Sequence, residues 1–140
     1  DAICLSEPSG TGEILGRRLF RDLTVRYVNQ VLDAVEVPVK IVHICGRLHS
    51  VYPVLGELHC DVLSVDSMVS LAEVRPHVPG KALMGNVSTH ALATMSAEKL
   101  HALTQTAIQA GSDIIAPACG IPMSTPLVNI QAMVAASRGE

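Results

Sequence analysis

Aromatic residues are almost missing: 140 residues hold no Trp, one Phe and two Tyr. Single-strand nucleic-acid binding needs aromatic platforms along a basic groove, and here 10 Lys and Arg face 13 Asp and Glu with a net charge of −3. Nucleic acid is therefore not an expected partner. No apolar run reaches the roughly 18 to 20 residues that cross a bilayer, and no signal-peptide pattern opens the chain. The expectation is a cytoplasmic protein with no membrane contact. The sequence also lacks both CxxC and HExxH, which removes a self-contained zinc ribbon and a zincin helix.

What remains is an ordinary globular composition, 49% hydrophobic and 16% charged, enough for one domain over residues 1–140 with a buried core. The chain starts at Asp1 rather than Met and enters an apolar strand at once, so it reads as a segment of a longer polypeptide. Its four cysteines, Cys4, Cys45, Cys60 and Cys119, are expected as buried thiols or metal ligands rather than disulfides.

Periodicity gives an alternation of strands and helices. Expected strands run over Ala2–Glu7, Val39–Cys45, Cys60–Asp66, Lys81–Val87 and Asp113–Cys119. Between the first two, Leu15, Leu19, Leu23, Tyr27, Val31 and Val35 recur every four residues from about Glu13 to Glu36, with Phe20, Val28 and Leu32 widening the stripe. That spacing predicts one amphipathic helix with this stripe as its apolar face. Shorter helices follow over about Leu48–His59 and Ser70–Val78, then Ala97–Ala110 behind a Ser96 N-cap, and a last one opened by Pro126. Strand then helix, five times, implies parallel strands with helical crossovers.

Polar residues gather at the strand ends: Glu7, His43 with Cys45, Asp66, Asn86 and Cys119. An open doubly wound sheet concentrates its site at one switch point, whereas a (β/α)8 barrel collects residues from many strand tips. The fold class is thus α/β, the C-terminal portion of a TIM-type barrel with about five of its parallel strands.

Within that frame two stretches stand out, Val39-Lys40-Ile41-Val42-His43-Ile44-Cys45-Gly46 and Asp113-Ile114-Ile115-Ala116-Pro117-Ala118-Cys119-Gly120. Each is a β-branched run that ends in a soft ligand and a glycine. Strand alternation puts His43 and Cys45 on one face. A lone strand histidine is more often a hydrogen-bonded core residue, and a lone cysteine a small hydrophobe. Three soft ligands at matching ends of parallel strands favour a metal. By placement Cys4 and Cys60 read as packing residues, and His49, His59, His77 and His101 as surface. His90, just after the fourth strand, is a weaker candidate for the pocket wall.

One imidazole and two thiolates suit Zn²⁺ and leave its fourth tetrahedral position open, as in catalytic sites. Two thiolates neutralise the cation, so a substrate thiol is a more natural occupant than activated water. Glu7, in preference to Asp66, would occupy the open position between turnovers or take the thiol's proton.

Ser6-Glu7-Pro8-Ser9-Gly10-Thr11-Gly12, His43-Ile44-Cys45-Gly46, Val65-Asp66, Met84-Gly85-Asn86-Val87-Ser88 and Ala116-Pro117-Ala118-Cys119-Gly120 together resemble the uroporphyrinogen decarboxylase superfamily. Within it the His-X-Cys pair with a distant Cys is similar to the cobalamin-dependent methyltransferase branch, of the methylcobalamin:coenzyme M type. The resemblance implies a (β/α)8 barrel about twice this length or more, with zinc on His43, Cys45 and Cys119 binding an acceptor thiol. It implies that the thiol takes its methyl group from methylcobalamin on a partner corrinoid protein, with Glu7, Asp66 and Asn86 lining the pocket. A homo-oligomer is compatible with all of this. Two rivals predict different outcomes. A metal-free tetrapyrrole decarboxylase would want arginines at the strand tips, where only Arg47 stands. A non-catalytic barrel fragment would dock a partner and turn nothing over.

Overall fold

Residues 1–140 are described by a computed structural model. The first four expected strands form one parallel sheet, β1 (Ala2–Glu7), β2 (Val39–Ile44), β3 (Val62–Val65) and β4 (Ala82–Met84), in the order β1-β2-β3-β4. Each strand pairs with the one before it, so the sheet winds in a single direction with no reversal. That progression is the wall of a β/α barrel, and the chain is an arc of one.

Register explains the two faces of this arc. Leu5, Val42, Leu63 and Leu83 stand side by side across the four strands, as do Ser6, His43, Ser64 and Met84. The first row is aliphatic and belongs to or packs on the main core under the helices. The second row, one residue further along each strand, points to the opposite face and carries the chemistry. Side-chain alternation within a fixed register thus lines up Ser6, His43 and Ser64 without any loop contribution.

The fifth expected strand does not form a continuous ladder. Ile114 bridges Met84 and Pro117 bridges Val87, with backbone bonds from Ile114 N–H to the Leu83 carbonyl, Gly85 N–H to Ile114, Val87 N–H to Ala116 and Ala118 N–H to Val87. The missing rung is one to the Gly85 carbonyl, which accepts instead from the Ser112 hydroxyl at 2.6 Å. On the partner side Gly85 turns the chain away at φ +128°, a conformation open to glycine, while a Cβ there would stand 3.1 Å from the carbonyl oxygen of Val65. The segment is held as well by Asp113, whose carboxylate accepts from the Leu83 N–H at 2.8 Å and from the Arg75 guanidinium at 2.6 Å. Arg75 also donates to the carbonyls of Lys81 and Gly111.

The long N-terminal helix is present but in pieces: α1 (Gly12–Leu19), itself kinked at Gly16, whose φ of +65° is not helical, and α2 (Arg26–Asp33), joined to it by a wider π-helical turn over Phe20–Val25. A π turn adds a residue to the repeat and shifts the buried face. Phe20 and Leu32 are fully buried, whereas Leu23 is 43% and Tyr27 53% exposed, with Leu19 and Val31 also on the surface. From Leu19 to Val31 the expected apolar stripe is therefore the outer face and Phe20 and Leu32 are the core, whereas Leu15, before the kink, packs on the core as expected. The remaining helices are α3 (Tyr52–Leu55), α4 (Leu71–Val74), α5 (Thr89–Thr94), α6 (Ala97–Gln109) and α7 (Leu127–Arg138). Of these α5 had no counterpart in the periodicity, although its Ser88 N-cap accepts from the Ala91 N–H. No helix is long and apolar enough to cross a membrane.

Candidate metal centre

His43 and Cys45 leave the same face of the β2 tip, as alternation requires, and Cys119 arrives from the loop that follows the Pro117 bridge. His43 Nε2 lies 3.2 Å from Cys45 Sγ, and Cys45 Sγ lies 3.7 Å from Cys119 Sγ. The ligand atoms of His43, Cys45 and Cys119 all fall within 4.8 Å of one another. Two sulfurs each ~2.3 Å from a tetrahedral zinc stand about 3.8 Å apart, so the observed sulfur spacing is that of one edge of such a site. The donor set fits zinc by chemistry and by size.

Electrostatics point the same way. His43 is 8% exposed. Desolvation pushes its pKa below the usual imidazole range, only partly offset by the Asp66 carboxylate, so the ring is neutral and has a lone pair to give. Desolvation also pushes the Cys45 thiol up to about 11, helped by the hydrogen bond and charge of Cys119 and by Asp66 and Glu7. Two sulfurs this close resist ionising together. A divalent cation reverses that repulsion, because thiolate is the form it binds.

The three acidic and amide candidates do not join this cluster, because backbone groups occupy their side chains. Glu7 Oε1 accepts from the N–H groups of Ser9 and Gly10 and from the Ser9 hydroxyl, closing the loop after β1. Desolvation raises the Glu7 pKa, but these donors outweigh it and hold the carboxyl below its ordinary value. Such a carboxylate is a weak base for a thiol. Asp66 accepts from the N–H groups of Gly46 and Met68, so it fixes the turn just after Cys45. Gly46 takes φ +75° there, a left-handed conformation that suits glycine. Asn86 donates to the carbonyls of Asp66 and Val69 and so ties the β4 tip to the β3 tip. Glu7, Asp66 and Asn86 hold loops in place; none lines the cavity around the sulfurs.

That cavity, of about 500 Å³, is walled by Cys4, Ser6, Met84, Pro117 and Ile121 around His43, Cys45 and Cys119. Cys4 was expected to be a packing residue, yet it is exposed on this wall, since register places it beside Ile41, on the His43 face. Cys60 is buried as expected. His90 is exposed and does not reach the cavity. Ser64 was overlooked; its signal was a single hydroxyl in Val62-Leu63-Ser64-Val65, at the parity of the His43 face.

Comparison with known proteins places the chain in a family and a fold. The family model described as uroporphyrinogen decarboxylase (URO-D) matches residues 1–139. The methylcobamide:CoM methyltransferase MtaA of Methanosarcina barkeri is 30% identical over 139 residues, covering 97% of this chain and 41% of that protein. The methylcobamide:CoM methyltransferase MtbA of Methanosarcina mazei is 27% identical over 137 residues, covering 96% of this chain and 40% of that one. Among solved structures, a methyltransferase from Methanosarcina mazei superposes with a TM-score of 0.91 at 27% identity, over 99% of this chain and 42% of the other. The chain thus spans about two-fifths of the length of the relatives it matches.

Proposed function

The chain belongs to the uroporphyrinogen decarboxylase (URO-D) family, and from that premise we propose that it is the metal-binding part of a methyltransferase that moves a methyl group from a methylated corrinoid to an acceptor thiol. One observation carries the reading: His43 Nε2, Cys45 Sγ and Cys119 Sγ converge within 4.8 Å on a cavity wall. A decarboxylase working on tetrapyrrole carboxylates has no use for two convergent thiols. The relatives named as methylcobamide:CoM methyltransferases support both the donor class and coenzyme M as the acceptor.

His43, Cys45 and Cys119 would hold Zn²⁺. Bound there, zinc lowers the pKa of an incoming thiol and presents its sulfur as thiolate near neutral pH. The residues of the chain supply the setting. His43 contributes a neutral donor, the two cysteines balance the cation's charge, and the Asp66 bond to Gly46 fixes the turn behind Cys45. Met84, Pro117 and Ile121 give the cavity apolar walls beside the three donors. In the overall reaction the thiol loses its proton, a carbon–sulfur bond forms, and the electron pair of the cobalt–carbon bond stays on the corrinoid. A separate corrinoid protein is the partner that delivers the methyl group, and the reaction belongs in the cytoplasm.

The test is metal content together with turnover. The purified protein is expected to hold about one zinc per chain, three-ligand sites of this kind binding a single ion. Loss of methylcobalamin absorbance should depend on added coenzyme M. Cys119→Ala should abolish zinc retention and methyl transfer together. A Cys119→Ala protein with full zinc and full rate would overturn the assignment.

A further inference from the structure

Ser64 interrupts an otherwise aliphatic strand, is 5% exposed, and has one hydrogen-bond partner for its hydroxyl: His43 Nδ1 at 3.0 Å. A buried hydroxyl is costly unless bonded, and Ala or Val would suit the strand better. We infer that Ser64 is a positioning residue that decides which nitrogen of His43 faces the metal. This rests on the zinc reading above and extends it to a residue outside the ligand set.

A neutral imidazole carries one N–H, and its ligating nitrogen must be bare. When Nε2 meets the cation the proton sits on Nδ1, and Ser64 Oγ accepts it. When no cation is bound the hydroxyl turns round, donates its O–H to Nδ1, and lets the Nε2–H donate to Cys45 Sγ at 3.2 Å. One hydroxyl therefore serves both tautomers without moving the ring. A carboxylate in its place could only accept, and an apolar side chain could do neither. Register is what makes this work, since His43 and Ser64 are direct neighbours across β2 and β3.

The experiment is a zinc competition titration on the wild-type protein, Ser64→Ala and Ser64→Thr, beside nitrogen NMR of histidine-labelled wild-type protein loaded with zinc. Ser64→Ala should weaken zinc about 10- to 100-fold, the usual effect of losing an outer-shell partner, and Ser64→Thr, which keeps the hydroxyl, should recover most of it. The wild-type spectrum should show Nδ1 protonated and Nε2 bound to metal. Unchanged zinc affinity in Ser64→Ala, or Nδ1 bound to the metal, overturns the inference and leaves the zinc reading intact. Wild-type protein that takes up no zinc overturns both. If a variant does not fold, the wild-type spectrum decides alone.

Discussion

Cys45 shows how far one side chain's behaviour depends on its neighbours. Its thiol sits beside Cys119 at 3.7 Å, and desolvation, together with that neighbour, carries its pKa from an ordinary 9.0 to about 11. Between those values the unfolded chain gives up the thiol proton while the folded chain keeps it, so the folded state binds more protons and stability falls as pH rises. Metal-free protein should therefore lose denaturant resistance between about pH 9 and pH 11. The same series on Cys45→Ser should be flatter. Zinc should remove the effect, because the cation holds the thiolate form. A wild-type profile that runs parallel to Cys45→Ser would refute the assignment of that slope to this thiol. The ligand types were legible from His43-Ile44-Cys45-Gly46 alone, whereas the weak basicity of Glu7 was not. It depends on Ser9 and Gly10 N–H groups folding back over the carboxylate.

At the scale of elements, α1 and α2 show a correct helix with its faces exchanged. A four-residue recurrence of Leu15, Leu19, Leu23, Tyr27 and Val31 reads as one buried stripe only if the helix runs unbroken from Leu15 onward. The kink at Gly16, at φ +65°, breaks it, and beyond that point Phe20 and Leu32, each one residue out of step with Leu19 and Val31, take the core. The consequence is measurable. Leu32→Ala should cost about 2 to 5 kcal/mol of unfolding free energy, since it empties a fully buried position, while Leu23→Ala should stay within about 0.5 kcal/mol. Urea melts of the two variants check this, and equal losses would contradict the exchanged faces. Strands fared better than helices because period-two alternation is insensitive to a small change of winding. The fifth strand is the exception: a β-branched run looked continuous, but its ladder is interrupted at the Gly85 carbonyl, which the Ser112 hydroxyl takes, leaving two isolated bridges.

For the molecule as a whole, the link that matters is the one bringing residue 119 to residues 43 and 45. Asp113 anchors that segment by accepting from the Leu83 N–H and from Arg75, which itself gathers the carbonyls of Lys81 and Gly111. Asp113→Ala should lower stability by about 1 to 3 kcal/mol, the cost of leaving a donor unpaired. It should also weaken zinc binding although Asp113 touches no ligand atom; calorimetric zinc titration of the variant is the check, and unaltered affinity would separate the anchor from the site. The sequence by itself determined the strand–helix alternation, the parallel arc of a barrel and which three soft side chains stand at the strand tips, because apolar period and residue chemistry are local properties. Tertiary structure alone decided that Cys119 reaches Cys45, that Ser64 stands beside His43, and that Glu7, Asp66 and Asn86 are tied to backbone amides and carbonyls. Those outcomes follow from register, loop closure and hydrogen-bond competition, each of which joins residues far apart in the chain.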